Sequence, residues 1–344
     1  MAMAETDFAR LRLAARPEGL SNSDTHWREA FTRDELAELI EMHDVRSWLS
    51  IGLDWGIVFA SMALVAVWTN PLTIVLALFL IGARQLGFAV MMHEASHHTL
   101  LSNRKWNDWV GNWLCAYPVW SDTRPYRPYH LQHHAKTGTP DDPDLGLITP
   151  FPITRASLWR KIWRDLSGQT GIKFAKGGFK RTFGRYRSNP DARRAANGVL
   201  VTNLVLFGIL AAVGHPALYL LWVGAWLTTN TLVTRIRAIA EHALTPQEPL
   251  EPRGRTRTTL ANPLARLFIA PNRVNYHLEH HLVMTVPHYS LPRFHRMLAD
   301  RGLLEGACID TSYLTILKRA SSKGEATPEP EDAAARKPVR FPPF

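Results

Sequence analysis

Apolar residues are concentrated in four long runs, which polar segments separate into two pairs. The first pair occupies residues 51–68 and 71–92, and the second occupies residues 198–213 and 216–234. Each run approaches the ~20 residues that an α-helix needs to cross the hydrocarbon core of a bilayer. The pattern therefore predicts an all-α integral membrane protein with four transmembrane helices arranged as two hairpins.

The joins within the two pairs are short and contain no Lys or Arg. Thr69-Asn70 joins the first pair and Gly214-His215 joins the second, whereas Lys and Arg are frequent in the segments that flank the pairs. Segments rich in Lys and Arg remain on the cytoplasmic side of a membrane. We therefore expect a multi-pass protein of the bacterial inner membrane, with both termini and the segment between the pairs in the cytoplasm.

The polar segments predict a cytosolic cap and two terminal extensions. Residues 1–48 are predicted to form a cytoplasmic arm, and residues 49–318 the membrane domain with its helical cap. In the arm, apolar residues between positions 34 and 43 have helical spacing, which predicts an amphipathic helix on the membrane or on the cap. Residues 319–344 have few apolar side chains, and we expect a disordered tail.

Composition narrows the class of protein further. The 344 residues carry a formal net charge of +10, but the basic residues border the apolar runs, which favours a cytoplasmic membrane surface over nucleic-acid binding. The basic block from Trp159 to Arg194 predicts a face for anionic lipid or for an acidic electron-transfer protein. Cys115 and Cys308 are the two cysteines, which excludes a disulfide framework and a CxxC metal site.

Histidines recur at fixed spacing in three segments, namely residues 93–97 (HEASH), 130–134 (HLQHH) and 277–281 (HLEHH). Helical residues i, i+3 and i+4 share one face, so we expect the first segment to direct two imidazoles, and each later segment three, at one point. Imidazole is a preferred ligand of iron, copper, nickel and zinc. Eight histidines exceed the ligand set of one tetrahedral zinc, so the pattern predicts a site for two metal ions.

For three residues near these segments, membership of the predicted metal site has to be argued individually. His98 falls on another face of the helix than His93 and His97, because successive residues turn by about 100°, and we expect it outside the site. His242 follows the fourth apolar run as the first segment follows the second run, which makes it a candidate ninth ligand. Glu241, beside it, is a candidate ligand or a partner that orients a ligand.

Other polar residues near the histidine segments could either support the metal site or have a purely structural role. Asp141 and Asp144 lie in an acidic loop after the second histidine segment, where they could orient ligand histidines or be solvated turn residues. Arg84 lies within the second apolar run but out of helical phase with the first segment, so we expect a structural partner for it in the helix bundle. His288 and His295 are expected to make hydrogen bonds rather than bind metal.

The three segments, in this order and with these two predicted hairpins, resemble the membrane fatty-acid desaturase superfamily from about Trp48 to Pro292. The resemblance implies four spanning helices under a cytosolic cap that holds two non-haem irons, with O2 as co-substrate. It implies histidine ligands from all three segments and a ninth after the fourth span. Carried over to this sequence, the implied ligands are His93, His97, His130, His133, His134, His242, His277, His280 and His281.

The sequence departs from this family in two respects. Animal acyl-CoA desaturases have a water-linked Asn four positions before the ninth histidine, where this chain has Ala238; Asn275 could take over its role. The chain also contains no haem-binding HPGG turn of a cytochrome b5-like segment. The resemblance therefore implies a separate electron donor of the ferredoxin or rubredoxin type.

An unactivated C–H bond has no acidic proton, so its oxidation requires redox-active metal rather than acid–base residues. The resemblance implies O2-dependent oxidation of a lipid acyl chain, with desaturation favoured over hydroxylation, ketone formation and oxidative decarboxylation at the same site. Two other classes of protein stay open. One is a membrane zinc hydrolase that uses HExxH with Glu94 as base, and the other is a metal transporter, in which we expect ligands near mid-membrane.

Overall fold

The computed structural model describes residues 26–148, 150–245 and 252–324, and nearly all of its regular structure is helical. The all-α prediction is therefore confirmed. Most of the predicted N-terminal arm (residues 1–25) and of the predicted tail (residues 325–344) lies outside the described residues.

The described residues form α-helices along most of their length. They are α1 (His26–Glu29), α2 (Arg33–Ile40), α3 (Asp44–Val67), α4 (Pro71–Ser96), α5 (Arg104–Val110), α6 (Thr123–Lys136), α7 (Leu145–Ile148), α8 (Arg155–Leu166), α9 (Gln169–Thr182), α10 (Pro190–Ala212), α11 (Tyr219–Leu227), α12 (Thr229–His242), α13 (Pro252–Arg255), α14 (Pro263–Phe268), α15 (His277–Leu282), α16 (Leu291–Asp300) and α17 (Tyr313–Ala320).

The other elements are short. A π-helical turn (Gly111–Ala116) continues α5, and 3₁₀ turns lie at Tyr117–Val119, Pro216–Leu218 and Pro271–Arg273. Strands β1 (Thr258–Thr259) and β2 (Ile309–Asp310) pair in parallel.

Three helical segments are long and apolar enough to cross a membrane, and they are Arg33–Val67, Pro71–Ser96 and Pro190–Ala212. They cover the first three predicted spans. Helix α4 is the central one, because it runs without a break from the second span into the first histidine segment and ends at Ser96, with His97 as its C-cap. Asn70 begins this helix by accepting hydrogen bonds from the backbone N–H groups of Leu72 and Thr73.

The fourth apolar run differs from the continuous helix that its sequence predicts. It is divided into α11 and α12 at Thr228, whose φ of −120° and ψ of −85° are not helical. The hydroxyl of Thr229 donates to the carbonyl of Leu78 at 2.5 Å, and a Cβ at Gly82 would lie 2.2 Å from that hydroxyl oxygen. Close packing against α4 thus fixes the break, and a membrane crossing by this run stays a prediction.

A buried polar network joins α3 and α4 to the loop before the third histidine segment. The Arg84 guanidinium donates to Asp54 at 2.9 Å and to the carbonyl of Leu267 at 2.6 Å. The Asn272 amide donates to the other Asp54 oxygen at 2.7 Å. Arg84 therefore has the structural partner that the sequence analysis expects, and the network holds residues far apart in the sequence in one position.

The N-terminal helices pack on the cap. Trp27, Phe31 and Leu39 form one buried apolar cluster with Phe294 and Leu298 of α16. The sequence left open whether the amphipathic helix of the arm lies on the membrane or on the cap. Its buried face contacts the helices that follow the third histidine segment, so the arm supports that part of the cap.

Helix α8 presents exposed aromatic residues on a basic surface. Trp159 and Trp163 are 68% and 67% exposed, one helical turn apart. Arg235 of α12 binds the buried carboxylate of Asp165 with two hydrogen bonds, of 2.5 and 2.8 Å. The helix is thus fixed to the bundle while both indole rings face outward, as rings at the lipid headgroup level do.

Candidate metal centre

Nine buried or half-buried histidines form two adjacent groups. The five-histidine group consists of His93, His97, His130, His134 and His280, and the four-histidine group consists of His133, His242, His277 and His281. In each group, one ring nitrogen from every residue lies within 4.8 Å of those from all the others. The structure thus brings together all nine histidines that the sequence analysis proposes as ligands. Metal binding by these histidines stays a prediction.

The two HxxHH segments do not direct three imidazoles at one point, so that expectation was wrong. Each segment gives an i, i+4 pair to one group and its remaining histidine to the other. The reason is that residues four apart differ by about 40° around a helix, whereas adjacent residues differ by about 100°. The pairs are His130 with His134 and His277 with His281, and the single contributions are His133 and His280.

The supporting helices come from both the membrane bundle and the cap. His93 and His97 lie at the C-terminal end of α4, and His242 ends α12. The Arg257 guanidinium donates to the carbonyls of Ala240 and Ala243 at 2.8 and 2.9 Å, which satisfies carbonyls that have no partner within the helix. This contact fixes the end of α12 and therefore the backbone that carries His242.

The nitrogen positions fit metal ions. Nε2 of His242 lies 2.8 Å from Nε2 of His277, and Nε2 of His134 lies 2.9 Å from that of His130 and 3.0 Å from that of His280. Among the described residues, both ring nitrogens of His97 are buried without a hydrogen-bond partner, as are single nitrogens of His93, His242 and His281. Buried polar atoms without partners are uncommon, and converging lone pairs suit a cation.

Burial also sets the protonation of these rings. It lowers the pKa of most of the imidazoles well below the ordinary value, which keeps them neutral at pH 7. A neutral imidazole offers the lone pair that a metal requires. The rings concerned are those of His130, His134, His242, His277, His280 and His281.

His133 is oriented by the third aspartate of the acidic loop, Asp142. Its Nδ1 lies 2.8 Å from Asp142, which leaves Nε2 for the four-histidine group. Burial acts to lower the pKa of His133, but the hydrogen bond and charge of Asp142 outweigh it and raise the pKa above its ordinary value. Of the two aspartates that were nominated, Asp144 lies 3.6 Å from His133 and Asp141 is exposed.

Glu241 lies between an arginine and the four-histidine group. One carboxylate oxygen accepts a 2.6 Å hydrogen bond from Nε of Arg237, and the other is 3.6 Å from Nε2 of His277. Burial raises the pKa of Glu241 to about 7, while the Arg237 guanidinium acts in the opposite direction. The carboxylate is therefore close to the group, as the sequence analysis expects for a ligand or an orienting partner.

Asn275 holds the loop before α15. Its amide donates to the carbonyl of Thr259 at 2.9 Å, and its Oδ1 is buried without a partner among the described residues. The residue thus connects this loop to β1. Animal acyl-CoA desaturases have a water-linked Asn at the position of Ala238. That Asn275 takes over its role in this chain stays a prediction.

Two glutamates inside the histidine segments make contacts that position the backbone. Glu94 accepts hydrogen bonds from the hydroxyl of Thr99 at 3.1 Å and from the backbone N–H of His288 at 2.8 Å. Glu279 accepts one from Thr258 and lies 2.6 Å from the His295 ring. His288 and His295 are therefore hydrogen-bonding residues, as predicted, and these glutamates fasten the helices that carry the ligand candidates.

The sequence matches the model of the family described as fatty acid desaturase over residues 66–307. This chain belongs to the fatty acid desaturase family. Proteins of this family are oxidoreductases. Family membership therefore supports desaturase-like oxidation of a lipid, the class of reaction that the resemblance implies. The alternatives of a zinc hydrolase and of a metal transporter are not supported, because the match covers the second, third and fourth apolar runs and all three histidine segments.

Three curated relatives illustrate the range of this desaturase family. The chain is 30% identical to the dihydrorhizobitoxine desaturase of Bradyrhizobium elkanii, over 79% of this chain and 81% of that protein. It is 22% identical to the chloroplastic omega-6 fatty acid desaturase of Glycine max, over 76% and 65%. It is 24% identical to the sn-1 oleoyl-lipid 12-desaturase of a Picosynechococcus species, over 73% and 76%.

The placement of His98 gives a first prediction for this desaturase. His98 belongs to neither group, has a positive φ of 59°, and directs Nδ1 toward Asn107 at 3.5 Å. We expect His98→Asn to retain the iron content of the unmodified protein, because Asn tolerates a positive φ and no ligand candidate is removed. Iron analysis of the purified variant tests this, and loss of a metal ion would place His98 in the site.

The acidic loop gives a second prediction with a matched control. We expect Asp142→Ala to weaken metal binding by about 10- to 100-fold, the usual cost of losing a residue that orients a ligand, because His133 loses its hydrogen-bond partner. Asp141→Ala, at the exposed neighbouring position, is expected to bind metal like the unmodified protein. Iron titration of both variants measures the difference, and equal affinities would contradict the role of Asp142.

Proposed function

We propose that this protein is an O2-dependent di-iron desaturase of a lipid acyl chain. The observation that supports the proposal most strongly is the arrangement of nine largely neutral histidines into two adjacent groups, with ring centroids of His134 and His281 only 4.2 Å apart. Nitrogen donors suit iron, and desaturation by O2 requires a metal that changes oxidation state. Membership of the desaturase family supplies the reaction class.

The relatives favour two candidate substrates. Two of them carry names that specify a fatty acid or an oleoyl lipid, and the apolar helices of this chain suit a substrate that partitions into the bilayer. The relative with 30% identity is named for dihydrorhizobitoxine instead. A lipid acyl chain is our first candidate, and desaturation of dihydrorhizobitoxine or a similar compound is the second.

The overall reaction defines what the protein must accomplish. One turnover removes two hydrogen atoms from adjacent carbons, reduces one O2 to two waters, and consumes two electrons and two protons from a donor. Bound iron supplies the redox chemistry with O2. The protein's own residues would hold the metal through imidazoles, orient His133 through Asp142, and keep the polar site at the C-terminal ends of α4 and α12.

The membrane orientation and the partners belong to the same proposal. All three histidine segments and both termini face the cytoplasm, and two hairpins cross the inner membrane. Trp159 and Trp163 on basic helix α8 rest at the lipid headgroups, which suits the exposure of both rings. A separate ferredoxin- or rubredoxin-type protein supplies electrons from the cytoplasmic side.

The experiment that tests the proposal is mass spectrometry of lipids and fatty acids from cells that express the chain. Cells expressing the His133→Ala variant are the control, and iron is measured on both purified proteins. A product two hydrogens lighter, absent from the control, is the expected result. A product heavier by one oxygen would indicate hydroxylation, and a shortened alkene would indicate decarboxylation. An unchanged lipid profile with conversion of added dihydrorhizobitoxine would favour the second candidate.

A further inference from the structure

The two histidine groups offer unequal numbers of donors, and a buried carboxylate lies beside the smaller one. The five-histidine group has five ring nitrogens, whereas the other has four. Glu241 precedes His242 in the sequence and is only 4% exposed. Its position raises the question of what its second oxygen binds.

The two oxygens of Glu241 have different surroundings. Oε1 accepts the 2.6 Å hydrogen bond from Arg237. Oε2 is buried and has no hydrogen-bond partner among the described residues, and it lies 3.6 Å from Nε2 of His277. That nitrogen also lies 2.8 Å from Nε2 of His242, so Oε2 lies close to one ring nitrogen of the four-histidine group.

Glu279 provides a comparison from the same part of the protein. It is also buried next to a ligand candidate, but both of its oxygens have partners, namely Thr258 and His295. A buried acceptor without a hydrogen-bond partner destabilises a protein, and a charged one does so more strongly. Oε2 of Glu241 is therefore unusual among the described buried carboxylates of the cap, and its proximity to Nε2 of His277 suits a cation as its partner.

We infer that Oε2 of Glu241 is the fifth protein ligand of the metal in the four-histidine group. The inference rests on the proposed di-metal function. The separation of 3.6 Å is too long for a hydrogen bond to His277 but suits two donors that share one ion. Arg237 holds the other oxygen and fixes the carboxylate in this orientation. The two metal ions then differ in charge environment, one held by neutral nitrogens and the other by nitrogens and a carboxylate.

The test compares Glu241→Gln with Glu279→Gln in the full chain, purified in detergent without metal and titrated anaerobically with Fe²⁺. An infrared difference spectrum between the iron-loaded and iron-free forms detects a carboxylate whose stretching bands shift on coordination. We expect this shift in the unmodified protein and in Glu279→Gln, and its loss in Glu241→Gln. Persistence of the full carboxylate shift in Glu241→Gln would overturn the inference.

Iron affinity separates this inference from the proposed function. We expect Glu241→Gln to bind one of two Fe²⁺ ions more weakly by about 100-fold or more, beyond the usual cost of losing an orienting residue, while the other ion binds as before. Two ions bound with unchanged affinity would remove Glu241 from the ligand set and leave the di-iron proposal intact. Failure of the unmodified protein to bind two ions would instead contradict the di-iron proposal itself.

Discussion

His133→Ala is expected to abolish product formation and to remove iron from the four-histidine group while the protein still inserts and folds. His133 is 2% exposed and is the contribution of α6 to that group. Its loss removes a ligand candidate and leaves Asp142 without its imidazole partner. We expect iron affinity at this group to fall by more than the roughly 100-fold that loss of an orienting residue costs at most.

The measurements are iron content per chain, product yield and the thermal unfolding temperature in detergent. His98→Asn is the matched control, because it removes a histidine from the same part of the cap but from neither group. We expect one iron per chain to be lost in His133→Ala and none in the control. Full activity of His133→Ala would remove this residue from the proposed ligand set.

Arg84→Leu is expected to have the second-largest effect, on stability rather than chemistry. The change leaves Asp54, which is fully buried, without its cation, and it removes the donor to the carbonyl of Leu267. Removal of one partner from a buried ion pair costs about 3–5 kcal/mol. Denaturant unfolding in detergent should therefore give a free energy of unfolding lower by about this amount.

A double variant separates the charge effect from the change in packing. Asp54→Asn combined with Arg84→Leu removes both charges, so we expect it to be more stable than Arg84→Leu alone. The network also anchors Asn272 in the loop before the third histidine segment, so iron retention on heating should fall in the single variant. A single variant as stable as the unmodified protein would show that the ion pair contributes nothing net.

The sequence determined the helices that carry the site. Apolar length predicts α3, α4 and α10, because each run approaches the length that spans a membrane and needs no tertiary contact to be recognised. Continuation of α4 into the first histidine segment follows from the same pattern. The nine histidines were also identifiable, since their spacing repeats and imidazole is a strong metal ligand in any fold.

The tertiary structure decided how these residues are used. The division of the two HxxHH segments between two groups depends on how α6 and α15 are placed relative to α4 and α12, and local periodicity does not contain that placement. The choice of Asp142 over Asp141 and Asp144 depends on the path of one loop. All three aspartates look alike in sequence, but only a folded loop selects the one that reaches His133.

Contacts within the membrane bundle also depend on tertiary structure rather than on local sequence. Asp54 and Arg84 are thirty positions apart, and nothing local in either helix predicts that they meet or that Asn272 joins them. The break at Thr228 likewise arises from contact with α4, at Gly82, rather than from a helix-breaking residue in the run itself. Periodicity and ligand chemistry are encoded by neighbouring residues, whereas ion pairs, helix breaks and the division of the histidines between two groups arise only when distant segments pack together.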